Sequence, residues 1–213
     1  MAHDIDVLIA GGGPVGLTAS ILLSRHGVRS LLVERHPSTA IQPKSRGINP
    51  RTMEVYRQCG VEDAIREAGL PTERTGLIVW AESLAGKEIE RRVPGRAAPA
   101  NMAMSPVRNC LCAQDDLEPV LRRFAEESKL GELRFSTELT ALTYDESGVR
   151  GVLLDRASNT ESVVRARYLI AAEHLHAELP AHAALRALGG DQVTGADHAL
   201  GVAGAIEQHA AHT

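Results

Sequence analysis

The sequence predicts an α/β chain wound around a parallel sheet, and three observations predict it. An apolar, β-branched run, Asp6-Val-Leu-Ile-Ala10, enters the glycine turn Gly11-Gly-Gly-Pro-Val-Gly16. Leu17, Ile21 and Leu22 then recur at helical spacing, with Gly27 as a stop. A second apolar run, Ser30 to Val33, ends in an acid, Glu34. Strand, turn, helix, strand and terminal acid make the opening βαβ unit of a dinucleotide-binding, Rossmann-like domain.

Each residue type in the turn has a physical task. Gly11 permits the tight exit from the strand. Gly13 has no side chain, so a pyrophosphate can approach the backbone. Gly16 lets the helix pack closely on the sheet. With Pro14 and Val15 these residues form a helix N-terminus, whose free N–H groups and partial positive charge suit phosphate. Glu34 lies 23 positions after Gly11, near the roughly 20-residue offset of an acid that accepts hydrogen bonds from a ribose.

Further along, the stretch 35–50 is rich in Pro, Ser, Lys and Arg and reads as a loop. Residues 51–60 read as a helix closed by Gly60, and 61–68 as a short helix ended by Gly69-Leu-Pro71. Apolar alternation over 77–80 and 88–93 around Leu84-Ala-Gly-Lys87 predicts a hairpin. Residues 115–127 form an amphipathic helix with Leu117, Val120, Leu121 and Phe124 on one face. Runs at 133–143, 151–155 and 162–170 predict a three-stranded meander turning at 145–148 and 157–160. The run Arg167-Tyr-Leu-Ile-Ala-Ala172 suits a buried sheet.

Composition narrows the function classes. Of 213 residues, 44% are hydrophobic and 23% charged, an ordinary globular balance, and no apolar run is long enough to span a bilayer. Aromatics at 3% and a net charge of −4 argue against a nucleic-acid platform. The first residues lack the features of a secretion signal, so a cytoplasmic location is the default expectation. Cys59, Cys110 and Cys112 form no metal or disulfide pattern, and the last two are expected as buried thiols on one strand face. Glu82, Glu88 and the acids around Asp115 are expected in solvent. From Glu173 the chain turns rich in Ala and His, with six of the nine histidines but no metal-ligand spacing.

The order of these motifs resembles the class A flavoprotein aromatic hydroxylases, above all the FAD-dependent polyketide hydroxylases. The resemblance is carried by Gly11-Gly-Gly-Pro-Val-Gly16, Leu32-Val-Glu-Arg35, Arg46-Gly-Ile-Asn-Pro-Arg-Thr-Met-Glu54, Gly60 to Ala68, Cys112-Ala-Gln-Asp-Asp-Leu-Glu118 and Ala166 to Ala172. It implies a three-layer FAD/NAD(P)-binding domain, a parallel sheet with a β-meander, over residues 1–172, with substrate-domain strands starting near 76–110. It further implies FAD with Gly11, Gly13, Pro14, Val15 and Gly16 at the pyrophosphate, Glu34 at the adenosine ribose and Arg35 near the adenine. Lys44 and Arg46 would reach the phosphates, and Gln114 the flavin side. NAD(P)H would reduce the flavin transiently, and O₂ would supply the oxygen placed on a phenolic ring. No catalytic side chain or metal is required of the protein, because the cofactor carries the difficult step.

After Ala172 the resemblance breaks. An Asp-Gly turn is expected where Glu173-His174 stands, and later family elements do not follow. The sequence therefore predicts a C-terminally incomplete domain with an atypical tail over 173–213. The leading expectation is a truncated FAD-dependent monooxygenase of a small aromatic substrate, with no nucleic-acid or membrane partner. The alternative is a non-catalytic nucleotide-binding remnant or an assembly module needing a partner chain, and self-association or a complementing chain is the expected partnership.

Overall fold

The computed structural model describes residues 4–71, 78–92 and 105–172. The chain divides into two compact units, one formed by 1–41 and 121–213 and the other by 42–120.

The first unit opens as expected. Strand β1 (Ile5–Ala10) leads into helix α1 (Pro14–Arg25), and β2 (Ser30–Val33) follows. Helix α1 stops at Gly27 because that residue takes φ +76. The Gly27 N–H then bonds Ser24 O and the Val28 N–H bonds Leu23 O, closing the last turn as a Schellman motif. Leu17, Ala19, Ile21 and Leu23 of α1 are buried, as are Val7, Leu8 and Ile9 of β1 and Leu31 to Val33 of β2.

The sheet has six strands in the order β7-β2-β1-β10-β9-β8. Its later members are β7 (Gly131–Arg134), β8 (Thr137–Asp145), β9 (Gly148–Asp155) and β10 (Thr160–Ala171). β7, β2, β1 and β10 run parallel, while β10, β9 and β8 form an antiparallel meander. The meander covers one sheet face: Leu139, Leu153, Val164 and Ala166 form one buried cluster with Leu8, Ala10, Leu31 and Val33. Gly151 admits this approach, since a Cβ there would lie 3.1 Å from Leu8 Cδ2 and 2.8 Å from Leu139 Cδ1. Helix α1 packs on β1, β2 and β7, and the layers are therefore helix, parallel sheet and meander.

Two expectations are corrected here. The run 133–143 is two strands, because Ser136 adopts φ +53 and interrupts the extended backbone between β7 and β8. The Ser136 N–H is then satisfied by His36 O and the Thr137 N–H by Glu34 O, so the break is fixed by tertiary bonds rather than by a glycine. The end of β10 is less buried than an apolar run suggests: Tyr168 is exposed, and Leu169 and Ile170 are half-buried.

The second unit holds β3 (Gly47–Ile48), α2 (Pro50–Gln58), α3 (Glu62–Ala68), β4 (Ile78–Ala81), β5 (Glu88–Arg92), β6 (Cys110–Leu111) and the start of α4 (Gln114–Glu126). The expected loop over 35–50 thus contains a short strand, β3, which pairs with β6, and its last residue, Pro50, is the first of α2. The Asn49 side chain caps α2 by accepting the Thr52 N–H at 2.8 Å. Met53, Tyr56, Cys59, Val61, Ile65, Val107, Cys110, Cys112 and Leu117 are buried in this unit. All three cysteines are free thiols. Cys112 lies one residue past β6, so the two thiols do not share a strand as expected.

Glu62 ties the unit together. Its carboxylate accepts from Arg57 and Arg66, and these guanidinium groups also donate to the Pro106, Arg108 and Asn109 carbonyls. The expected hairpin is present as β4 paired with β5, with Ile78, Val79, Trp80 and Ile89 exposed. Positions 76–77 and 93–104 of the expected substrate-domain strands, and the tail from Glu173, lie outside the described residues. No described helix is long and apolar enough to cross a membrane.

Candidate functional site

The glycine turn and the end of β2 meet in the first unit. Gly11 takes φ +110, a conformation open to glycine. A Cβ on Gly16 would lie 1.9 Å from Gly11 O, so only glycine lets α1 start this close to the turn. Gly13 caps α1 with extended backbone (φ −77, ψ −174) and has no side chain to bond the first amides. Pro14, first in the helix, has no N–H, and the Leu17 N–H already bonds Gly13 O at 3.0 Å. The amides of Val15 and Gly16 are therefore the free ones of the first turn. No acid lies in that turn to repel an anion. These features fit a pyrophosphate.

Glu34 is 7% exposed and reaches back to the turn, accepting the Gly12 N–H on Oε2 at 2.7 Å. Its Oε1 accepts the His36 N–H at 2.8 Å and lies 2.6 Å from His36 Nδ1. Burial alone would raise this carboxyl, but the hydrogen bonds from His36 and Gly12 outweigh it and hold the group below the ordinary carboxylate value. Glu34 is therefore an ionised acceptor at neutral pH. Arg35, next in the chain, is half-buried.

Sequence reasoning missed Gly12 and His36. The Gly12 signal was available in the triple glycine: a Cβ there would meet Glu34 Cβ at 2.8 Å. His36 follows the acid by two residues, and no residue pattern marks it.

In the second unit, Lys44 and Arg46 are exposed. The backbone holds their loop against the start of α4: the Cys112 N–H bonds Arg46 O at 2.9 Å, and the Gln114 N–H bonds Ser45 O at 2.8 Å. The Gln114 amide donates to Glu118 Oε1 at 2.6 Å. Glu118 is 3% exposed, which corrects the expectation that the acids around Asp115 lie in solvent. Its i, i+4 spacing from Gln114 was the signal that could have found it. Glu82 and Glu88 are exposed, the latter paired with Arg91. No group of three metal-ligating side chains occurs among the described residues.

The chain is similar to known proteins over most of its length. A polyketide-hydroxylase assignment in Streptomyces halstedii is 46% identical over 172 residues, covering 80% of this chain and 31% of that protein. The tetracenomycin B2 monooxygenase-dioxygenase of Streptomyces olivaceus is 39% identical over 210 residues, covering 92% of this chain and 37% of its own. Among solved structures, the flavin-dependent monooxygenase PieE in complex with FAD and substrate superposes with a TM-score of 0.74 at 38% identity, covering 81% of this chain and 31% of that one. The chain thus spans about a third of the length of the relatives it matches. The FAD binding domain family matches residues 4–205, nearly the whole sequence and every residue of the glycine turn and its acid, and the chain belongs to that family.

Proposed function

We propose that this chain is the FAD-binding portion of a flavin-dependent hydroxylase that acts on an aromatic polyketide or another phenol with NAD(P)H and O₂. The observation that carries the reading is the Gly12–Glu34 bond. It joins a side-chain-free phosphate cradle to an ionised acid at the end of β2, and an adenosine diphosphate moiety offers complementary groups to both. Gly11, Gly13, Pro14, Val15 and Gly16 present backbone to the pyrophosphate, Glu34 accepts from the ribose, and Arg35 lies beside it in sequence for the adenine. Lys44 and Arg46 keep the phosphate role, and Gln114 the flavin-side role, that the family resemblance gives them. Support from their own unit is the pair of backbone bonds that makes the loop and the helix start one piece.

When bound, the flavin supplies the redox chemistry that activates oxygen. The chain's own residues bind and orient it. The substrate class comes from the relatives, which are described as acting on polyketides and on tetracenomycin B2. The test is NAD(P)H oxidation by the chain supplied with FAD, with and without a polycyclic phenol. Phenol-stimulated oxidation with a hydroxylated product supports the activity. Oxidation that ignores the phenol refutes it.

A second reading is favoured by one observation. The β4–β5 hairpin leaves Ile78, Val79, Trp80 and Ile89 exposed, as in a nucleotide-binding module completed by another chain. Stable co-purification with a second polypeptide supports that reading.

A further inference from the structure

The Glu34 carboxylate holds more donors than a ribose-binding acid can keep. Gly12 N–H occupies Oε2, while Oε1 takes both the backbone N–H and the ring of His36. Because an ionised carboxylate only accepts, Nδ1 carries the imidazole proton in this bond. A carboxylate offers about four lone-pair positions, two on each oxygen. Oε1 is therefore full, and Oε2 keeps one. An adenosine ribose brings two hydroxyl donors, so one resident donor has to leave.

Two of the three cannot leave without breaking the fold. Gly12 N–H belongs to the turn, whose neighbour Gly11 donates its N–H to Val33 O at 2.8 Å. His36 N–H is fixed on both sides, since the His36 carbonyl accepts the Ser136 N–H and the Glu34 N–H bonds Arg134 O, each at 2.9 Å. The imidazole is different. Its side chain is 63% exposed, and a change of rotamer moves it into water with no backbone motion.

We propose that the His36 imidazole is an intramolecular competitor of the adenosine ribose, occupying the Glu34 Oε1 lone pair that a ribose hydroxyl takes and swinging out when a nucleotide binds. The proposal rests on the reading of Glu34 as the ribose acid. The ring lies mostly in solvent, so its hydrogen bond to Glu34 is weakened by competing water, and the penalty on affinity is at most about fivefold.

Calorimetric titrations of ADP and 2′-deoxy-ADP into the wild-type chain, His36→Ala and His36→Asn test it. Removing an exposed ring leaves the fold intact, and asparagine places an amide donor near the Nδ1 position. His36→Ala is expected to bind ADP about two- to fivefold more tightly than wild type. It should bind 2′-deoxy-ADP no more tightly, because one hydroxyl fits the lone pair already free on Oε2. His36→Asn should match wild type for both ligands. Unchanged or weaker ADP binding by His36→Ala, with saturable wild-type binding, would overturn the proposal and leave Glu34 as the ribose acid. Equal gains for both nucleotides would also overturn it, since the ring would then obstruct by bulk. Failure of all three proteins to bind ADP would remove the reading of Glu34 itself, and the proposal with it.

Discussion

Gly16→Ala should destabilise the chain more than any other single methyl addition in the glycine turn. The added Cβ would sit 1.9 Å from Gly11 O and 3.1 Å from Gly11 C, and both are backbone atoms that no rotamer change can move. Contacts of this kind are not tolerated below 3.0 Å, so α1 and the turn must part by roughly 1 Å in an interior packed at crystal density. Overpacking costs about 1–3 kcal/mol, and the absence of any flexible neighbour places this case near 3. For a chain of this size that is a fall in Tm of about 6–12 °C. The control is Gly47→Ala, where nothing lies within 4 Å and φ is not positive; its Tm should hold or rise slightly. Thermal melts followed by circular dichroism compare the two. A Gly16→Ala melt within 2 °C of wild type would refute the close approach of α1 to the turn.

Other outcomes follow from the same geometry. Gly27→Ala meets open space but must hold φ +76, so it should cost only backbone strain, about 1 kcal/mol or 2–4 °C in Tm. Glu62→Gln weakens the carboxylate bonds to Arg57 and Arg66 and should cost about 1–2 kcal/mol by urea denaturation, below the value for a buried pair because the arginines are partly solvated. The Arg57 guanidinium holds the Glu62 carboxyl below its ordinary 4.5, as the hydrogen bonds from His36 and Gly12 do for Glu34 after outweighing burial. The unfolded chain therefore binds more protons in acid. Their contribution is present above pH 4.5 and is lost as pH falls through the lowered values, and Glu62→Gln should flatten that acid limb. Burial pushes the Cys112 thiol up to about 11, and the other two cysteines are also buried. A disulfide reagent at pH 8 should label the native chain slowly and all three thiols on unfolding.

The βαβ unit was legible because its signals are local. A glycine triplet, an apolar helical stripe and a terminal acid each have one physical use at that spacing, and β2 falls on the expected residues, Ser30–Val33. The meander was legible from its polar turns, but β7 was not. Alternation runs on through Leu133, Phe135, Thr137 and Leu139, and the left-handed Ser136 is held by its own N–H bond to His36 and the Thr137 N–H bond to Glu34, which no local pattern announces. The β3–β6 ladder has two residues on each strand, too few for any period to show. In the site, the glycines and Glu34 were readable as types. The donor set on Glu34 depends on where the chain after β2 turns, which is decided by packing against the β7–β8 corner.

The central claim is that the glycine turn and Glu34 bind FAD, and a fluorescence titration with FAD against Gly13→Val tests it most directly. Gly13 has φ −77 and ψ −174, backbone that valine adopts without strain, so the variant should fold while its branched side chain fills the space left for phosphate. The account predicts saturable flavin quenching by the wild-type chain and at least a tenfold loss of affinity in Gly13→Val, about 1.4 kcal/mol. Equal binding by both proteins, or none by a folded wild-type chain, would contradict it.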